Sequence, residues 1–213
     1  MQKNLSAKKI VFLVFATACC RLMHFIAYKL HPRKISNLHS SIDKILTGSQ
    51  LNFEADLLIN SLVVAEDHRF FFHEGIDPFA IFRASIKTLI GHMQGASTIE
   101  QQLVRTITKD YEKTLRRKLR EALLASTLRR RFTKREVAWT YLLIAYFGEH
   151  QQQTDNYQEL LAAHKDLIAA LSLVSQLKYP KKLNSSSSNS YDRRNRTNYL
   201  LNRVRKVDTW LPN

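Results

Sequence analysis

The chain has 213 residues and 45% of them are hydrophobic, enough for one domain of ordinary size with a real core, plus a tail or anchor. Five Gly and four Pro disfavour a turn-rich β architecture, and the only cysteines, Cys19 and Cys20, are adjacent, which excludes a disulfide framework and any zinc-type spacing. A net charge of +15, from 33 Lys and Arg against 18 Asp and Glu, calls for an anionic partner: nucleic acid, anionic lipid headgroups or a phosphorylated substrate.

Lys8 and Lys9 precede an apolar run, Ile10 to Cys20, which Arg21 interrupts before it continues to Tyr28. Counted through Arg21 and His24 it is 19 residues, close to the ~20 of a membrane span. Three readings compete: a retained signal anchor with its lysines in the cytoplasm, a signal peptide cleaved after Ala16-Thr17-Ala18, or a lipidated Cys19. The expectation is an anchor, made shallow or tilted by Arg21. Residues 29–54 read as a polar spacer.

Ala55 to Asp67 reads as a helix with Leu57, Leu58, Leu62 and Ala65 near one face. It ends in Glu66 and Asp67, followed by Phe70, Phe71, Phe72 and His73. Apolar surroundings disfavour a charged carboxylate, a setting that suits a proton acceptor. The same two acids equally suit the first solvated residues after a helix. Asp77 and Pro78 open a further helix that carries Phe79, Ile81, Phe82, Ile86, Leu89 and Ile90, either core or an interfacial membrane helix. After a break at Gly91–Gly95, Ser97 or Thr98 with Glu100 or Gln101 makes a capping box. Residues 112–131 form a long basic helix with Leu115, Leu119, Ala122, Leu123 and Leu128 as its apolar face. Thr133 caps the next helix. A glutamine-rich patch follows Gly148, then the helical "LLAAHKDLIAALSLVSQL", a loop at Ser185–Ser188 and a closing basic helix. No repeat and no useful strand alternation is present. The fold class expected is mainly α.

Two carboxylates stand out. Glu66 has apolar neighbours, whereas Glu121 has Arg117 and Lys118 one turn before it on the same helix face. Opposite environments for two carboxylates are the pattern of divided acid–base roles. The arginines equally suit a helix-surface ion pair, and His73 a structural histidine. Ser97 and Thr98 suit caps, and no histidine–acid partner supports a serine hydrolase. No metal-ligand spacing occurs. The run Arg129-Arg130-Arg131 suits a solvated face or an anionic membrane surface.

Four segments in order, Glu66-Asp67-x-x-Phe70-x-x-His73-x-Gly75, Gly95-x-Ser97-Thr98-Ile99-x-Gln101-Gln102-Leu103, Arg117-Lys118-x-x-Glu121 and Lys134-x-x-Val137-x-x-x-Tyr141-Leu142, resemble the peptidoglycan glycosyltransferase family. That family supplies the polymerase domain of class A penicillin-binding proteins and stands alone as monofunctional transglycosylases. The resemblance is strong from about Leu57 to Leu142 and faint in "LSLVSQLKYP" and "RRNRTNYLLNRV". It implies a lysozyme-like helical domain with a small membrane-facing lobe, preceded by an N-terminal membrane anchor. The expected organisation is residues 1–29 as cytoplasmic tail and anchor, 30–54 as spacer and 55–213 as the glycosyltransferase domain.

The resemblance also implies lipid II, a disaccharide-peptide on undecaprenyl diphosphate, and the growing glycan as partners. Glu66 would be the catalytic base and Glu121 the second catalytic glutamate, near the departing diphosphate. Ser97, Gln102, Arg105, Arg117 and Lys118 would bind substrate. No resident metal is implied; a divalent cation, Mg or Mn, bridging Glu121 and diphosphate is the one cofactor left open. The location would be the bacterial inner membrane, single-pass, with the domain on the periplasmic side, in contact with anionic lipid and cell-wall synthesis proteins and not with nucleic acid. The chain departs from the family pattern at Leu143, where Asn is usual, at Arg129, where an acid is usual, at Arg105, where Lys is usual, and after Tyr141, where the stretch is shortened. These departures leave a second reading: a degenerate paralogue that binds lipid II or a cell-wall partner without turnover.

Overall fold

The computed structural model describes residues 7–49, 51–91, 95–147, 157–180 and 187–207, with side chains from Thr17 onward except at 187, 188, 206 and 207. The glutamine-rich patch after Gly148, the centre of the Gly91–Gly95 break and the first half of the serine loop lie outside the described residues. Those described form ten α-helices, two short 3₁₀ turns and no strand, so the mainly α expectation holds. Contacts divide the chain into two compact units, Met1–Ser41 with Arg69–Lys134, and Ile42–His68 with Arg135–Asn213.

In the first unit, helix α1 (Ala7–Leu30) packs along α6 (Leu115–Leu128). Cys20 and Ala27 are buried, whereas Leu22, Phe25 and Leu30 are exposed. Among the described residues no helix is long and apolar enough to cross a membrane. The expected anchor is therefore not found as a span, and the physical reason lies in the sequence: Arg21, His24 and Lys29 cut the apolar run short. Helix α2 (Pro32–Thr47) occupies the stretch read as a spacer and crosses the division between units. Its Ile35, Leu38, His39 and Ile42 are buried at the i, i+3, i+4, i+7 spacing of a helix face.

Helix α4 (Pro78–Leu89) starts as its sequence requires, with the Asp77 carboxylate accepting from the Phe79 N–H at 2.9 Å and Arg69 pairing with Asp77 at 2.9 Å. Its apolar residues are not core. Phe79, Ile81, Phe82, Ile86, Leu89 and Ile90 are all exposed, and only Ala84 is buried. Helix α5 (Ile99–Thr108) opens on the capping box, Thr98 being the cap and Gln101 its reciprocal partner. It packs on α6 through Ile99, Leu103 and Val104. The apolar face of α6 is Leu123, Leu124, Ala125 and Leu128; Leu115 and Leu119, assigned to it from spacing, are exposed. That helix starts later than expected because Thr114 caps it, accepting from the Arg117 N–H at 3.1 Å.

In the second unit, α3 (Asp56–Glu66) packs against α9 (Leu167–Ser175), and α10 (Ser187–Val207) packs on both. Leu58, Ile59 and Leu62 meet a face containing Ala170, Leu171 and Val174, all at 1% exposure or less. Each fully buried Leu or Ile contributes about 1.5–3 kcal/mol. The segment read as one long helix is two, α8 (Tyr157–Ala163) and α9, because the Asp166 side chain caps the second by accepting from the Ala169 N–H at 2.9 Å. Helix α7 (Lys134–Ile144) contributes the fully buried Trp139 and Leu142.

One loop of the first unit depends on a glycine. Gly75 has φ +93°, and a Cβ there would drive into the Ala125 carbonyl of α6. The Thr98 hydroxyl donates to the Gly75 carbonyl at 2.8 Å and closes the contact. Gly75→Ala is expected to destabilise the protein by about 2 kcal/mol or more, since left-handed strain adds to the clash. Thermal unfolding of the full chain in neutral detergent measures it.

Candidate active site

Glu121 sits on the buried face of α6 with only 4% of its side chain exposed. A carboxylate so placed needs partners. Arg105 supplies one pair from α5, its Nε donating to Glu121 Oε2 and its Nη2 to Oε1, both at 2.9 Å. Arg117, one turn back on α6, donates from Nη1 to Oε2 and from Nε to the Glu112 carbonyl. The first pair is the bidentate fork that makes arginine–carboxylate geometry strong and directional. Arg105 Nη2 also reaches the Ser97 hydroxyl at 3.5 Å.

Beside this cluster lies a small cavity of about 70 Å³, lined by Lys34, Asp110, Arg117, Arg120 and Glu121. Arg120 pairs with Asp110. The hydrogen bond from Arg120 holds the Asp110 carboxyl below its ordinary value of 3.8. Both Glu121 oxygens are taken by guanidinium donors, so the residues here do not fit a divalent cation.

Further contacts tie the sequence segments together within the first unit. Lys134 pairs with Glu100, both buried, and its ammonium lies 4.2 Å from the centre of the Phe70 ring. The His73 ring is buried, edge-on to Phe70 with centroids 6.2 Å apart.

Glu66 belongs to the second unit, as the last residue of α3. Its side chain is 18% exposed, and Arg196 of α10 donates from Nη2 to Glu66 Oε1 at 2.6 Å. The same nitrogen donates to the Ala65 carbonyl at 3.2 Å, placing a cation on the C-terminal end of α3. Leu200, one turn further along α10, is fully buried, and the Thr197 hydroxyl donates to Ser175 Oγ at 3.1 Å. These contacts hold Arg196 where it is.

The contrast drawn from sequence, an apolar Glu66 against a cation-bound Glu121, is not found: both carboxylates carry arginine partners. The reason is distance along the chain, because Arg196 lies far beyond the reach of any local spacing rule. A larger cavity of about 600 Å³ in the second unit, lined among others by Phe53, Tyr157, His164 and Lys165, contains none of the expected site residues.

A profile of the transglycosylase family matches residues 43–205, a span that includes both glutamates. The chain belongs to the transglycosylase family. It is 37% identical over 125 residues to penicillin-binding protein 1B of Haemophilus influenzae, which covers 58% of this chain and 16% of that protein. It is 42% identical over 110 residues to penicillin-binding protein 1A of Aquifex aeolicus, covering 51% and 14%. Over 199 residues it is 35% identical to penicillin-binding protein 1A of Rickettsia conorii, covering 83% and 24%. The matched region is thus less than a quarter of the length of each of these relatives.

For this transglycosylase the structure gathers Ser97, Arg105, Arg117 and Glu121 into one cluster. Gln102 lies half-buried on α5, and Lys118 is exposed on α6, outside the hydrogen bonds that hold Glu121. Sequence reasoning missed Arg196, whose only signal was the faint basic segment near the end, and Asp110 with Arg120, which join the loop before α6 to that helix. Arg117→Ala is expected to cost about 1.5–3 kcal/mol by removing one of the two cations on a buried carboxylate, whereas Lys118→Ala stays within about 0.5 kcal/mol. Chemical unfolding of the two variants tests the difference. Because the Asp110 carboxyl titrates lower when folded, its pair with Arg120 contributes fully above the unfolded value and is lost as pH falls through the folded one. Asp110→Asn should therefore flatten the acid side of a stability–pH curve, leaving less to lose below pH 3.8.

Proposed function

We propose that the chain is a peptidoglycan glycosyltransferase that polymerises lipid II into glycan strands. The observation that carries this reading is the Arg105–Glu121–Arg117 cluster on a cationic helix. The guanidinium forks are engaged by Glu121, so Arg105 and Arg117 would meet a diphosphate through their remaining N–H donors and their charge, and prepositioned cations stabilise the charge that develops on it as it leaves. Ser97, Gln102 and Lys118 border the same stretch of α5 and α6 and would extend the contact with the donor. Family membership supports the transferase chemistry, and the exposed apolar residues of α4 support a substrate with a lipid tail.

In this mechanism Glu66 is the general base. The acceptor's sugar hydroxyl attacks the anomeric carbon of the growing chain and its proton passes to Glu66. The bond from that carbon to the diphosphate oxygen breaks, and the electron pair leaves with undecaprenyl diphosphate, inverting the anomeric centre. Arg196 fixes the carboxylate's orientation, and the cationic cluster at Glu121 receives the leaving group. The enzyme works at the outer face of the bacterial inner membrane, with contact through α4 and the apolar start of α1.

The buried Leu143, which stands where the family pattern has Asn, favours the second reading of a paralogue that binds lipid II without turnover. Incubation of the detergent-solubilised chain with lipid II separates the two. Glycan polymer from the parent and a rate about 10²–10⁴-fold lower from Glu66→Gln are expected for a general base. Lipid II binding with no polymer from either protein would establish the non-catalytic reading. Equal rates would show that Glu66 only ends a helix.

A further inference from the structure

A second cationic cavity lies in the first unit, between α1 and the C-terminal end of α6. It measures about 230 Å³ and is lined by Arg21, His24, Glu74, Ser126, Arg129 and Arg130, none of which lines the cavity beside Glu121. Three arginines thus share its lining with one carboxylate. That carboxylate does not satisfy them: Glu74 is 52% exposed and its Oε2 stays 3.8 Å from Arg129 Nε, beyond hydrogen-bond reach. Arg129 Nε is shielded from solvent and lacks a hydrogen-bond partner. A buried guanidinium N–H left in that state is uncommon and costly, and in a cationic cavity it indicates a missing acceptor.

The cavity exceeds the ~30 Å³ share of a water molecule several-fold, room enough for a tetrahedral oxyanion. It is also built and not accidental. Gly75, pressed against the Ala125 carbonyl at φ +93°, brings the adjoining Glu74 to the end of α6, and the packing of α1 on α6 brings Arg21 and His24 there.

We propose that this cavity binds a phosphate group, and that its source is the headgroup of an anionic membrane lipid. Arginine is suited to phosphate oxygens through its fork of donors. The lipid assignment follows from α1. It leaves Leu22, Phe25 and Leu30 exposed on the same helix as Arg21 and His24, and exposed apolar side chains beside cations suit the interface of a membrane, where lipid phosphates lie. The inference goes beyond the transferase reading and is independent of turnover.

The test uses the full chain in a neutral detergent, with the thermal unfolding midpoint recorded against short-chain phosphatidylglycerol, the matching diacylglycerol and inorganic phosphate. A ligand that binds only the folded state raises the midpoint. Phosphatidylglycerol should raise it and diacylglycerol should not. Arg21→Gln with Arg129→Gln should weaken the apparent affinity by about tenfold or more, as expected for lost charge-assisted hydrogen bonds. Lys29→Gln with Lys87→Gln, which removes equal charge from exposed positions elsewhere, should not. Glu74→Gln, an exposed change that removes the competing carboxylate, should tighten binding, so the proposal remains testable if the double arginine variant folds poorly. An equal response to inorganic phosphate would overturn the lipid as source. No response to any phosphate, or an undiminished response in the double arginine variant with no gain in Glu74→Gln, would overturn the site.

Discussion

A carboxylate with 4% exposure is tolerated inside a protein only when cations come with it, and Glu121 brings two, from two different stretches of chain. Much of the first unit is arranged around that requirement. Arg105 reaches Glu121 because α5 packs on α6, and α5 holds its place through the Thr98 cap. Thr98 in turn holds the carbonyl of Gly75, which lies against α6 at Ala125. Lys134 reaches back to Glu100 and covers Phe70. The residues that identify the family therefore act as fasteners between its segments as well as chemical groups, and a change in one segment is felt in the others.

In the second unit the corresponding constraint is the pair between Glu66 and Arg196. The last turn of α3 offers a carbonyl and a carboxylate, and one guanidinium satisfies both. Arg196 is presented by α10, whose position depends on Leu200 and on the Thr197–Ser175 contact. A charged hydrogen bond of this kind gives the Glu66 carboxylate a defined direction.

The surfaces of the first unit are as informative as its interior. Helix α4 keeps its large apolar residues in solvent, and α1 exposes Leu22, Phe25 and Leu30. Monomeric proteins rarely expose contiguous apolar patches of this kind unless they meet a membrane or a partner. Together with the cationic cavity at the α1–α6 junction, this describes a unit with one chemistry for lipid tails and another for phosphate.

The sequence by itself determined the helical class, the cap at Asp77, a capping box at Ser97 or Thr98, the family, and the i, i+4 relation of Arg117 to Glu121. These depend on local backbone rules or on motifs short enough to read directly. The Ile35, Leu38, Ile42 spacing of α2 is a helix signal that its polar neighbours obscured, so the stretch read as a spacer. Whether α4 was core or surface and which leucines of α6 faced inward required the tertiary structure, because an apolar stripe does not say what it packs against. The partners of the two glutamates were likewise decided only by folding. Arg105 and Arg196 are distant in sequence from the carboxylates they hold, and only the packing of α5 on α6, and of α10 on α3 and α9, brings them within hydrogen-bond reach.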